Sequence, residues 1–168
     1  MTDVRALTEA DWRRLRLIRL RALRDAPHAF ISSYYHEAGH DADWWRERLS
    51  NDTWLLAFCA ATSIQPIGVI SATLGLIDSS PHPYVNSLWV ARAHRRRHVA
   101  RTLLHAVLAH LAEEGADAAS LWILDGNEAA LRLYLAAGFT PTGHRQLVPG
   151  SVNRHEERLT KHLRPDGR

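Results

Sequence analysis

One stretch of the chain, residues 87–104, combines the end of a strand, a cationic turn and the start of a helix. The segment Ser87-Leu-Trp-Val90 is typical of a buried strand, Arg95 to Arg97 are consecutive arginines, and helical apolar spacing begins near His98. The first amides of a helix lack intrahelical partners and carry the positive end of its dipole, so they bind anions. Because arginines surround that point, we expect an anionic, phosphorylated ligand there. The alternative is a solvated charge run without a ligand.

The whole sequence is consistent with one domain spanning residues 1–168. A chain of 168 residues can bury a hydrophobic core, and its net charge of +3 is too small for a polybasic surface. The N-terminus lacks the apolar segment of a signal peptide, and no apolar run reaches membrane-spanning length. We therefore expect a cytoplasmic protein that binds neither membrane nor nucleic acid.

Hydrophobic periodicity predicts the order β-α-α-β-β-β-α-β-α-β-β, an α/β fold with a mixed sheet. An irregular aromatic segment, 28–43, follows the first helix. Predicted strands cover 4–7, 54–61, 66–77, 84–90, 118–124, 139–144 and 154–163, and predicted helices cover about 11–26, 42–49, 98–114 and 127–137.

Three local patterns in this order resemble the GNAT superfamily of acyl-CoA-dependent N-acyltransferases. The strand end Leu88-Trp-Val90 followed by residues 95–100 is similar to the family's strand and Arg/Gln-x-x-Gly-x-Gly/Ala loop. Residues 127–139 resemble the segment Asn-x-x-Ala-x-x-x-Tyr-x-x-x-Gly-Phe, and residues 43–49 resemble the substrate-side second helix. The resemblance implies a mostly antiparallel sheet of about seven strands, flanked by four helices and splayed between strands 4 and 5.

The loop departs from the family pattern at three positions, the first of which is Arg92 in place of a common proline. Arg96 and His98 stand where glycine is usual, and glycine lets backbone amides approach a pyrophosphate closely. The imidazole of His98 is expected to obstruct or tilt the loop, whereas Arg96 and Arg97 offer charged contacts in return. The departure leaves two readings open: an active enzyme, or a catalytically impaired CoA-binding relic that acts as a sensor or interaction module.

The resemblance implies transfer of an acetyl group from acetyl-CoA, as cosubstrate, to a primary amine of a small molecule or peptide. The Val90 amide would hydrogen-bond the thioester oxygen, and Tyr134 would be the general acid. Tyr134 also fits a packing role, and Asn127 fits either a contact to the cofactor arm or an N-cap. The implied cofactor-binding residues are Leu88, Trp89, Val90, Arg95, Arg96, Arg97, His98, Val99, Ala100, Arg101, Asn127 and Tyr134.

The acceptor amine is expected beside the aromatic segment. Candidate substrate-binding residues there are Phe30, Tyr34, His36 and Glu37. Deprotonation of the amine is assigned to ordered water, to Glu37 or to His36, whose ordinary pKa lies nearest the working pH. The resemblance leaves a homodimer open.

Two other classes of function, a zinc site and nucleic-acid binding, are also suggested by parts of the sequence. The run His36-Glu-Ala-Gly-His40 matches the His-Glu-x-x-His zinc motif, but Gly39 weakens a helix there and no long amphipathic helix surrounds it, so we expect no metal site. Nucleic-acid binding is disfavoured because no aromatic residue interrupts the arginines at 92–101 as a stacking platform would require.

Overall fold

A computed structural model describes residues 2–60, 64–73 and 82–163. The strands are β1 (Thr2–Ala6), β2 (Asp52–Cys59), β3 (Pro66–Thr73), β4 (Tyr84–Val90), β5 (Ala118–Leu124), β6 (Thr140–Leu147) and β7 (His155–His162). The α-helices are α1 (Trp12–Asp25), α2 (Tyr34–Ala38), α3 (Ala42–Asn51), α4 (Val99–Glu113) and α5 (Glu128–Ala136).

All seven strands form one sheet in the order β1-β2-β3-β4-β5-β7-β6. Only the β4–β5 pair is parallel, and every other neighbouring pair is antiparallel. The predicted fold class is confirmed. The predicted strand 66–77 is observed as far as Thr73, and residues 74–77 lie outside the described part.

The aromatic segment contains an additional helix that periodicity did not predict, so five α-helices are described instead of four. Residues Tyr34–Ala38 form α2, and the Ser33 side chain caps it by accepting a hydrogen bond from the His36 amide. A helix of 5 residues is too short to show an apolar stripe. The sequence of this segment therefore gives no helical signal.

Helices cover both faces of the sheet and create two layers of core. On one face α4 buries Val99, Leu103, Leu104, Val107, Leu108 and Leu111 against β3 to β5, and α5 packs beside it. On the other face α1 and α3 bury an aliphatic and aromatic cluster that includes Trp45 and Trp54. No helix within 2–60, 64–73 and 82–163 has the length and apolar character needed to cross a membrane.

The sheet opens between β4 and β5. These strands share one register pair, Tyr84 with Ser120, and the Ser120 amide donates to the Pro83 carbonyl at 2.9 Å. A β-bulge follows in β4, because Val69 pairs with Trp89 while Ser71 pairs with Asn86. Ser87 in the bulge has φ of 60°, a left-handed conformation that is unusual for a side-chain-bearing residue. Beyond this point the strands separate, as the predicted splay requires.

Candidate active site

The separation of β4 and β5 opens a cavity of about 610 Å³. One side is formed by β4, β5 and α5, the facing side by α1, α2, α3 and residues 29–32, and the hairpin of β6 and β7 adds a third wall. Among the predicted site residues, the following line it: Leu88, Asn127, Tyr134, Phe30, His36 and Glu37.

The Val90 amide points into the gap between the strands. The Ala91 amide donates to the Ile67 carbonyl of β3 at 2.8 Å. Because successive amides of a strand point in opposite directions, the Val90 amide faces away from β3 and toward β5. This orientation suits a donor to a carbonyl oxygen held in the gap. Only the backbone of Val90 is in position to contribute, because the Trp89 backbone faces β3 and both side chains are buried in the core.

Tyr134 stands on α5 at the cavity wall. Its ring lies 5.8 Å from the Phe139 ring, so it also fills the packing role that the sequence allowed. Burial raises the pKa of Tyr134 to about 12, although the residue as a whole is only half-buried. The phenol is therefore protonated at neutral pH, and the raised pKa makes it a weaker acid than an exposed tyrosine.

Asn127 is the N-cap of α5. Its side-chain oxygen accepts a hydrogen bond from the Ala130 amide at 3.3 Å. The same residue lines the cavity, and its side-chain NH₂ makes no hydrogen bond to any residue within the described ranges. The cap role is thus observed, and it leaves two N–H donors for a ligand.

The Arg95 side chain anchors the loop that follows β4. Its Nε donates to the Val90 carbonyl at 2.9 Å, and its guanidinium forms an ion pair with Asp25 at the end of α1. Asp25 also accepts from the Trp89 indole at 3.0 Å. The structure thus directs Arg95 toward Asp25 and away from the first turn of α4, where a phosphate is expected.

Arg96 and His98 adopt the backbone conformation that glycine normally provides. Their φ angles are 59° and 62°, in the left-handed region. The His98 carbonyl accepts from the Thr102 amide at 2.9 Å and so begins α4. A groove of about 320 Å³ runs along the first turns, bordered by His98, Arg101, Thr102 and His105. Arg96, Arg97 and Arg101 are exposed around this helix start, beside Val99 and Ala100.

A buried ion cluster forms the facing wall of the cavity. Glu37 is 1% exposed and accepts from Arg19 at 2.7 Å and 3.0 Å, while Arg48 lies 3.5 Å away. Burial alone raises the pKa of Glu37, but the hydrogen bonds and charge of Arg19 and the charge of Arg48 outweigh it and leave the pKa below its ordinary value. Arg19 also donates to Ser87 Oγ at 3.3 Å, which joins the cluster to the β4 bulge.

The other predicted substrate-binding residues lie on two different surfaces, the cavity and a groove on α1. Phe30 lines the cavity, with the Arg19 guanidinium 4.7 Å from its ring centroid, and exposed His36 lies at the cavity edge. Tyr34 instead binds Arg24 through its hydroxyl at 2.8 Å and lines a separate groove on the outer side of α1.

The zinc-like motif does not have zincin geometry. Helix α2 ends at Ala38, so His40 lies beyond it and stacks on Trp44 with ring centroids 4.1 Å apart. Glu37, the residue that would act as base, is held by two arginines. No group of three or more metal-binding side chains occurs within the part of the chain that the structure describes.

Sequence reasoning missed four charged residues of the cavity: Arg19, Arg48, Arg154 and Glu156. Arg19 carried a visible signal, because it interrupts the apolar stripe of α1 between Leu15 and Leu23, and a charged residue on a buried stripe needs a partner. Glu156 carried none, since alternating polar residues at the start of β7 also suit a solvated strand.

Comparison with known proteins decides the family. The model of the acetyltransferase (GNAT) family matches residues 12–139. The chain belongs to the GNAT family. No curated protein sequence matches it significantly.

Solved GNAT structures share the fold of this GNAT protein at low sequence identity. An acetyltransferase of the GNAT family from Streptococcus pneumoniae superposes with a TM-score of 0.77 at 16% identity, covering 96% of this chain and 99% of that one. The putative acetyltransferase yncA from Salmonella typhimurium, solved with its cofactor acetyl-CoA, has a TM-score of 0.75 at 18% identity over 100% and 97% of the two chains. NAA60 of Arabidopsis thaliana in complex with acetyl-CoA has a TM-score of 0.68 at 18% identity over 96% and 98%.

Proposed function

We propose that this GNAT protein transfers the acetyl group of acetyl-CoA directly to a primary amine of a small molecule or peptide. The observation that carries the proposal is the opening between β4 and β5: the Val90 amide faces this gap, and protonated Tyr134 lines the cavity that the gap opens. The neighbours solved with acetyl-CoA, yncA and NAA60, support the choice of cosubstrate.

The cosubstrate's phosphates would dock at the start of α4. The unpaired amides of the first turn and the guanidinium groups of Arg96, Arg97 and Arg101 offer donors there. Left-handed backbone at Arg96 and His98 preserves the loop shape that glycine would give, which counts against the impaired-relic reading. Asn127 would contact the pantetheine arm through its side-chain NH₂.

In the reaction, the neutral amine attacks the thioester carbon, the C–N bond forms and the C–S bond breaks. The Val90 N–H stabilises negative charge on the carbonyl oxygen, and one such preorganised donor contributes about 3–4 kcal/mol. Tyr134 donates its phenolic proton to the departing sulfur. Glu37 is a poor base, because two arginines hold its pKa below the ordinary value. This leaves His36 or an ordered water as the proton acceptor from the amine.

The proposal is tested by incubating the purified protein with acetyl-CoA and a panel of primary amines. We expect amine-dependent release of CoA thiol and a product heavier by one acetyl group in mass spectrometry. Acetyl-CoA, but not adenosine, should also raise the melting temperature by mass action. Absence of both binding and turnover at millimolar acetyl-CoA contradicts the proposal.

A further inference from the structure

Glu156, the second residue of β7, is a buried carboxylate without a cation. It is 4% exposed and lines the cavity, and its Oε1 accepts from Gln146 Nε2 at 2.9 Å. Within residues 2–60, 64–73 and 82–163, no arginine, lysine or histidine forms an ion pair with it. Buried charges are normally paired, because an isolated one loses its hydration without compensation. The carboxylate therefore has room for a cationic partner supplied by a ligand.

Its place in the sheet is at the level of the reaction site. Glu156 pairs with Leu124 of β5, and Tyr84 of β4 pairs with Ser120. Four residues beyond the Tyr84–Ser120 pair, β4 reaches Leu88 and β5 reaches Leu124. The two residues therefore lie at the same level of the sheet, to within the one extra residue of the β4 bulge. The Ser120 hydroxyl lies 2.8 Å from the Thr160 hydroxyl, so paired side chains of β5 and β7 share a face. Glu156 thus projects beside the open gap, one strand beyond β5.

The described arginines of the cavity are bound to other residues, and none of them forms an ion pair with Glu156. Glu37 holds Arg19 and Arg48, and Arg154 donates to the His28 carbonyl. Only two carboxylates line the cavity, Glu37 and Glu156, and Glu156 alone has no cation. Gln146 fixes the orientation of the carboxylate without neutralising its charge.

We propose that Glu156 binds the ammonium group of the acceptor, so that the acceptor enters as a protonated amine with its nitrogen held between β7 and the gap. The ammonium then gives one proton to His36 or an ordered water, and the neutral nitrogen attacks the thioester. This rests on the proposed acetyl transfer, because only an amine acceptor needs such a group. The aromatic rings of Phe30 and Trp122 line the same cavity and provide apolar contacts for the rest of the molecule.

The test compares binding of 2-phenylethylammonium with binding of 2-phenylethanol, which has the same apolar part without the charge. Calorimetric titration is carried out with CoA present. We expect the wild type to prefer the ammonium compound and Glu156→Gln to lose about 10- to 100-fold in affinity for it. Glu157→Gln is the matched control, because Glu157 is next in sequence and on the opposite face, near Arg145. That variant should bind like the wild type.

A stability measurement separates this role from a structural one. If Glu156 serves a ligand, Glu156→Gln keeps or raises the melting temperature of the free protein, since it removes an unpaired buried charge. A lower melting temperature with unchanged ammonium preference assigns Glu156 to the scaffold and overturns the proposal, as does equal binding of the two probes by the wild type.

Measurements of acetyl transfer distinguish failure of the ammonium site from failure of the proposed function. If the protein acetylates amines and Glu156→Gln has the same kcat/KM as the wild type, the ammonium site is contradicted and the proposed acetyl transfer stands. If Glu156→Gln loses the preference for ammonium but the wild type acetylates no amine, the ammonium site stands and the proposed acetyl transfer is contradicted. Glu156→Asp retains the charge on a shorter stem and should recover part of the lost affinity.

Discussion

Tyr134 presents a protonated phenol to the cavity between β4 and β5. Because burial raises the pKa of Tyr134 to about 12, the side chain stays protonated while it lines the gap. We expect Tyr134→Phe to lower kcat by about 100-fold or more and to leave the KM for acetyl-CoA nearly unchanged, since a general acid acts only in the chemical step. Steady-state kinetics of CoA thiol release measure both parameters.

Tyr84 provides the control for that substitution. It is another buried tyrosine whose hydroxyl has no partner among the described residues, and it lies at the closed end of the gap, outside the cavity. Tyr84→Phe should therefore leave kcat unchanged. If both variants have wild-type kcat, Tyr134 is only a packing residue.

His98 holds a backbone conformation that costs energy. Its φ of 62° is in the left-handed region, where a side-chain-bearing residue is less stable than glycine by about 1–2 kcal/mol. We expect His98→Gly to have a higher free energy of unfolding than His98→Ala by roughly 1 kcal/mol, because only glycine escapes the Cβ penalty. Urea denaturation of the two variants measures the difference.

The same pair of variants tests the role of the imidazole. It borders the groove along α4, so His98→Gly should tighten CoA binding by allowing a closer approach of the backbone amides. Weaker binding in both variants would instead show that the imidazole itself contacts the phosphates.

At the scale of elements, Glu37 joins α1, α2 and α3 through Arg19 and Arg48. Glu37→Gln leaves two arginines beside an uncharged amide, and breaking a buried ion pair costs about 3–5 kcal/mol. The exposed pair of Asp43 and Arg46 on α3 is the matched control, because Asp43→Asn should cost at most about 1 kcal/mol. Equal losses of unfolding free energy would show that the buried cluster contributes no more stability than an exposed ion pair.

The acid dependence of stability follows from the same cluster. Since the pKa of Glu37 is lower in the folded state than in the unfolded state, its contribution is fully present above its unfolded pKa. That contribution is lost as the pH falls through the folded pKa, below about 4.3. Unfolding free energies measured from pH 6 to 3 should therefore decline more steeply for the wild type than for Glu37→Gln.

Sequence patterns predicted the helices and strands whose burial gives a regular apolar pattern. They missed the contacts between side chains that are far apart in the chain. The stripe of α4 and the apolar strands β4 and β5 were readable, because burial imposes a period on their residues. The link from Arg19 to Glu37 spans 18 positions and one irregular turn, and no local rule joins them. Arg95 was expected at a phosphate, yet its pairing with Asp25 depends on how α1 meets the end of β4.

At the scale of the whole molecule, the described strands form one sheet that divides into two groups, and few hydrogen bonds join the two groups. Strands β1 to β4 pair extensively on one side and β5, β7 and β6 on the other, whereas β4 and β5 share a single register pair. Helix α4 packs against β3, β4 and β5 and spans the boundary between the two groups. A ligand that fills the gap would supply backbone partners that the sheet itself lacks there.

Hydrogen exchange measures this directly. We expect acetyl-CoA to slow amide exchange in residues 84–90 and 118–127, because the pantetheine arm would pair with strand edges that are otherwise open. Adenosine 3′,5′-bisphosphate, which lacks the arm, should protect only residues 95–101. At a hundred times its Kd, acetyl-CoA should also stabilise the fold by about 2.7 kcal/mol. Equal protection of 84–90 by both compounds would mean that the arm does not enter the gap, and the roles of the Val90 amide and Tyr134 would fail together.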